Sequence, residues 1–367
     1  MPLELTGLVS HNRGGPLAPR PQTDFDVAGI VASAVAQECA GYDKVLIANS
    51  ALMPDSHAIA TYVAANTTSL RMMIAHRPGF IAPTMAARML ATVDRLSNGR
   101  AAVHIIAGPS DTELEADGDF TTKDLRYARA SEYVGILRRL WTSAVPVDHD
   151  GAFYRFNQAF MPVKPVVAGG IPVSWAGSSP ASIEAAAEHA DIFAMSGDSL
   201  AVIGAMVGRL GDAAASHQRT LDYMMTVIVI LGDTEDAAWA KADAALAAFL
   251  ALRGPTLATD DKGPSNFAAS SDAGARVLAT AAGGARQDRC LWMGMTHAAQ
   301  GKFGNQTTLV GTPDQVTEAL MDYYRLGVTR FLVRGYHPEA DIEEYGRDLF
   351  PRLRRAVAAY DAAVGSV

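Results

Sequence analysis

Residues 71–108 read RMMIAHRPGFIAPTMAARMLATVDRLSNGRAAVHIIAG. An apolar run, Arg71–His76, ends in a polar residue and reads as a strand. Pro83 and Thr84 then supply helix-entry chemistry, a ring that presets φ beside a capping hydroxyl. Residues 84–96 carry apolar side chains at helical spacing. A second apolar run, Ala101–Gly108, follows at once. Strand, helix and strand in this order predict a βαβ unit with parallel strands, apolar throughout because helices cover both faces.

The same alternation extends in both directions. Strand-like runs fall at Leu5–Ser10, Lys44–Asn49, Pro172–Gly177, Ile192–Gly197, Met225–Leu231 and Arg330–Gly335, which with the two above makes eight. Helix-like segments lie near 27–40, 57–66, 128–142, 180–190, 200–215, 235–253, 314–326 and 341–363. Eight βα units predict one (β/α)8 TIM barrel over residues 1–367; an open doubly wound sheet would usually hold fewer strands. Two stretches break the alternation, the acidic 109–127 and the Gly-, Ser- and Asp-bearing 254–312. Both are expected as loop or lid insertions at the C-terminal face.

A charged fraction of 19% against 49% hydrophobic is an ordinary globular balance. A net charge of −8 argues against a nucleic-acid backbone as partner. Cys39 and Cys290 sit in no metal-ligand spacing and predict no disulfide framework, which fits a cytoplasmic protein. No signal peptide and no membrane-spanning run is read.

Barrel chemistry sits at the C-terminal strand ends. Those ends carry His11 and Asn12, Asn49 and Ser50, His76 and Arg77, His104 and Gly108, Ser196, and Arg334 with Tyr336. The turn Gly177-Ser178-Ser179 before Pro180 leaves bare N–H groups and two hydroxyls at a helix start. That arrangement suits a phosphate, and equally serves a plain helix cap. None of the eight ends carries Asp or Glu, so paired-carboxylate glycoside hydrolysis is not expected. No HExxH, GxSxG or GxGxxG motif is present where a zincin, an α/β-hydrolase or a Rossmann enzyme needs it.

The chain resembles the luciferase-like flavin monooxygenases, most nearly their alkanesulfonate monooxygenase branch. Carrying the resemblance are Ala75-His-Arg-Pro-Gly-Phe-Ile-Ala-Pro-Thr84, Thr92-Val-Asp-Arg-Leu-Ser-Asn-Gly-Arg100, Asp117-Gly-Asp-Phe120, Arg126-Tyr127, Gly177-Ser-Ser179, Gly232-Asp-Thr-Glu-Asp-Ala-Ala-Trp239, Leu309-Val-Gly-Thr-Pro313 and Gly335-Tyr336. It implies reduced FMN (FMNH2) from a separate NAD(P)H-dependent flavin reductase, O2 as co-substrate, and a homodimer or homotetramer. It places the phosphate at Gly177, Ser178 and Ser179, with Tyr127 and Lys123 from a His-x-x-x-Tyr element whose histidine is here lysine. Asp55, His76, His104 and Ala107 match positions along the flavin, and His104, Tyr336 and His76 become candidate proton donors or positioning groups. Arg77, Lys302, Arg334 and Tyr336 are candidates for the substrate.

The departures bear on substrate. Where the alkanesulfonate enzymes carry Arg and His on the seventh strand, this chain has Thr226 and Ile228. Their sixth-strand Trp falls at Ser196, their second-strand Cys near Met53, and their loop Arg near Gly301 and Lys302. A sulfonate wants fixed cationic donors, so an organosulfur substrate would need Arg77, Lys302 and Arg334 in their stead. Two other readings stay open, an F420-dependent hydride-transfer enzyme of the same superfamily and a flavin-binding protein without catalysis.

Overall fold

The computed structural model describes residues 3–12, 15–17, 25–108, 110–257, 271–302 and 306–365. Eight parallel strands close into a barrel: β1 (Glu4–Val9), β2 (Lys44–Ile47), β3 (Arg71–His76), β4 (Ala101–Ile105), β7 (Val173–Ala176), β8 (Ile192–Ser196), β9 (Asp222–Leu231) and β13 (Val328–Arg334). Pairing of β8 with β9, β9 with β13 and β13 with β1 completes the ring. The expected (β/α)8 barrel is thus the observed fold. No described helix is long and apolar enough to cross a membrane.

Period-2 alternation divides each strand between two cores. Outward residues such as Met72, Ile74, Val103, Trp175, Phe193 and Phe331 pack under the helices. Inward residues Met73, Ile192, Ala194, Met224 and Leu332 fill the barrel, with Leu46 and Ala176 against them. Below this apolar layer the floor is ionic. Glu4, only 3% exposed, takes Lys44 at 2.7 Å on one oxygen, and Arg71 at 2.6 Å and Arg330 at 2.9 Å on the other. Arg330 also pairs with Asp222. Burial alone would raise the Glu4 pKa, but the three cations outweigh it and hold the carboxyl below its ordinary range.

The two irregular stretches are more ordered than the sequence suggested. After β4, helix Asp111–Ala116 forms within the 109–127 insertion. Helix Glu235–Leu257 runs past residue 254, so the second insertion starts as a continuation of the seventh helix. Its residues 258–270 and 303–305 lie outside the described ones. The rest forms helix Asp272–Ala282, a short hairpin β10 (Arg286–Gln287) and β11 (Leu291–Trp292), helix Gly294–Ala298, and β12 (Thr308–Gly311). β12 pairs parallel with the upper half of β9, above the point where β8 leaves it. A further hairpin, β5 (Val147–Asp150) with β6 (Arg155–Ala159), was not expected either. Its signal was the Asp150-Gly151 pair between two short runs.

Candidate functional site

Register fixes which strand-end side chains face the barrel mouth. Ala75, His104 and Ser174 stand level across β3, β4 and β7, and His104 Nδ1 shares a 3.0 Å hydrogen bond with Ser174 Oγ. Other inward-facing residues toward the mouth, Ala48, Ala176 and Ser196, with Thr226 level with Ser196, are not fully buried. These side chains are small, above a packed interior. Burial, with a smaller push from Lys44, lowers the His104 pKa to about 4. At neutral pH His104 is therefore an uncharged imidazole at the foot of the mouth, able to donate or accept one hydrogen bond to a bound molecule. A cavity of about 960 Å³ lies toward the β1, β2 and β13 ends, lined by Leu8, Ser10, Ala48, Met53, Arg334 and Tyr336 among others, and His104 is not part of its lining.

His76 is a correction. It lies on the outward face of β3, 2% exposed, with Nε2 2.8 Å from the Tyr133 hydroxyl and its ring edge-on to His57. Burial, reinforced by His57 and Arg77, lowers its pKa to about 3. From this outward position its ring faces Tyr133 and His57 under the helices and not the barrel interior. The odd–even step along β3 decides this: Met73 and Ala75 point in, so His76 points out.

Arg77 is a second correction. Its Nε donates to Asn49 Oδ1 at 2.9 Å, Nη1 to Glu113 at 3.3 Å and Nη2 to Asp117 at 2.6 Å, and its guanidinium lies 4.8 Å above Phe80. With two carboxylates bound, it holds down the first insertion and offers a substrate anion little. Most of the acidity of that insertion has the same cause. Asp111 pairs with Arg126 at 2.9 Å and Asp119 with Arg129, so its acidic side chains are largely spent on arginines of the barrel end and the following helix.

The turn after β7 has the geometry of an anion cradle. Gly177 holds φ +123°, and a Cβ there would lie 2.3 Å from Tyr127 Oη and 2.5 Å from Ser182 Oγ. Only glycine fits. Ser179 caps helix Pro180–His189 by accepting the Ser182 N–H at 3.3 Å. Ser178 Oγ is buried with no hydrogen-bond partner among the described residues. Tyr127 hydrogen-bonds Ser182, and burial raises its pKa, so it stays a neutral phenol. Lys123 opens the same helix as Tyr127 and pairs with Asp272 at 2.8 Å. An orphaned hydroxyl, a phenol, a lysine and the positive end of a helix suit a phosphate monoester.

Of the remaining candidates, Arg334, Tyr336 and Lys302 belong to the β13–β9–β12 side. Arg334 stands level with Ile228 and Thr308, and Tyr336 Oη lies 3.2 Å from Thr308 Oγ1. Burial raises the Tyr336 pKa well above the ordinary phenol. Lys302 is buried just ahead of β12, whereas Asp55 is mostly exposed and caps helix Ser56–Asn66 through the Ala58 N–H at 2.7 Å. Ala107 lies just past β4, packed against the outer core. Sequence reasoning missed Ser174, Thr308 and Asp272; each acts through a partner far along the chain and carries no local motif.

The sequence profile of the family described as luciferase-like monooxygenase matches residues 6–330. Among solved structures, the chain is similar to an EDTA monooxygenase (EmoA) from Chelativorans sp. BNC1, with TM-score 0.78 and 17% identity over 97% of this chain and 94% of that one. It is similar to a riboflavin lyase (RcaE), solved with modified FMN and riboflavin, with TM-score 0.78 and 18% identity over 97% and 92%. An F420-dependent secondary alcohol dehydrogenase shares the fold at TM-score 0.67 and 14% identity over 96% and 99%.

Proposed function

The chain belongs to the luciferase-like monooxygenase family, and from that membership we propose that it uses reduced FMN and O2 to oxygenate a small organic substrate. The reduced flavin comes from a separate NAD(P)H-dependent reductase. The observation that carries the cofactor is the Gly177-Ser178-Ser179 turn, with its close approach to Tyr127 and its orphaned Ser178 hydroxyl. Ser178, Ser179, Tyr127 and Lys123 would hold the phosphate. The small residues Ala48, Ala176, Ser196 and Thr226 leave room for the ring system, and when bound the flavin supplies the reaction with O2.

His104 would hydrogen-bond the flavin or the substrate as a neutral imidazole, its ring fixed by Ser174. Arg334 and Lys302, with Tyr336 and Thr308, favour an anionic group on the substrate. An organosulfur acid such as an alkanesulfonate is one such substrate. Arg77 has no part in this reading, because its guanidinium is occupied by Glu113 and Asp117.

Anaerobic titration tests the cofactor. Reduced FMN should bind, and reduced riboflavin, which lacks the phosphate, should bind about tenfold more weakly or worse, the loss of one or two charge-assisted hydrogen bonds. Preference for reduced F420 over FMN would move the protein to the hydride-transfer reading.

A further inference from the structure

In the barrel, β7 lies between β4 and β8. The phosphate turn follows β7. Lys123 belongs to the segment after β4, and Asp198 to the turn after β8. Helix Asp272–Ala282 of the second insertion reaches both. Asp272 pairs with Lys123 at 2.8 Å, and Arg276, one turn later on the same helix face, pairs with the fully buried Asp198 at 3.3 Å. The helix thereby ties together the two flanks of the Gly177-Ser178-Ser179 turn. Tyr127, whose hydroxyl closes against Gly177, feels the charges of both Lys123 and Asp272.

We propose that Asp272 is a specificity-determining residue for the cofactor phosphate: its carboxylate occupies Lys123 and is exchanged for the phosphate when the flavin binds. This rests on the phosphate reading of the turn. The two ties of the helix differ in kind. Asp198 is wholly buried and Arg276 only 22% exposed, so that pair anchors the helix. Lys123 and Asp272 are 38% and 54% exposed, and an exposed ion pair is weak and readily exchanged. A phosphate monoester carries roughly −1.5 to −2 charge at neutral pH and outcompetes one carboxylate for the same ammonium. The phosphate must displace Asp272 from Lys123, and that competition lowers its affinity; a flavin without phosphate meets no such competition.

The test measures dissociation constants of reduced FMN and reduced riboflavin for wild type, Asp272→Asn, Lys123→Ala and the double variant. Asparagine keeps the shape and removes the charge at the first turn of the helix, where Ser271 remains the cap. Asp272→Asn should tighten FMN on the order of threefold, the size of one exposed charge interaction, and leave riboflavin unchanged. Lys123→Ala should weaken FMN alone, and in its background Asp272→Asn should have lost its effect. Unchanged or weaker FMN binding by Asp272→Asn, or an equal gain for riboflavin, overturns the exchange. A wild type that binds FMN and riboflavin alike overturns instead the phosphate reading on which it rests.

Discussion

Replacing Gly177 by alanine will weaken FMN binding by about tenfold to a hundredfold, from backbone strain of about 1–3 kcal/mol plus steric conflict. The backbone there sits at φ +123°, which side-chain-bearing residues rarely adopt. The new methyl would meet Tyr127 Oη at 2.3 Å and Ser182 Oγ at 2.5 Å, far inside contact distance. To relieve this, either the turn must open or Tyr127 must withdraw. Both displace groups that would hold the phosphate, and Ala48, Ser196 and Thr226 lie on or just beyond other strands. Riboflavin affinity should therefore change much less than FMN affinity. Equal losses for the two ligands would show that the turn shapes the ring site instead.

The second large effect concerns stability. Glu4→Ala will cost about 3–5 kcal/mol, because it leaves Lys44, Arg71 and Arg330 facing one another on a closed barrel floor with their shared carboxylate gone. The pH dependence follows from the lowered pKa of Glu4. Its contribution is complete above the ordinary carboxyl value of 4.5 and fades as pH falls through the lower folded-state value. Denaturant unfolding at neutral pH should show the full difference between wild type and variant, and the difference should shrink in strong acid. A variant as stable as wild type at pH 7 would mean that the floor relaxes or admits water.

The barrel was legible because each strand is a short apolar run between helical segments, and that pattern is local. What remained hidden depends on partners or on parity. His76 ends a strand, and position at an end does not tell which face a side chain takes; the neighbours Met73 and Ala75 do, once their place inside the barrel is known. Arg77 looked available because Glu113 and Asp117 lie 36 and 40 residues away, inside a stretch read only as acidic. Thr308-Leu-Val-Gly311 is too short a run to stand out as a strand, and it forms one by extending the edge that β9 leaves above β8. The helix cap after Gly177 was readable, since small residues before a proline-led helix dictate it; the closeness of Tyr127 and Ser182 to that glycine was not.

If this chain transfers oxygen with reduced FMN, the atom it adds to the substrate comes from O2. The most direct test supplies the protein with FMN, NADH, a flavin reductase and isotopically labelled O2, and offers a panel of small organic acids that includes alkanesulfonates. The product should carry one labelled oxygen atom and form only when reductase, FMN and protein are all present. Substrate oxidation without label in the product, or turnover with F420 in place of FMN, would contradict oxygen transfer with reduced FMN.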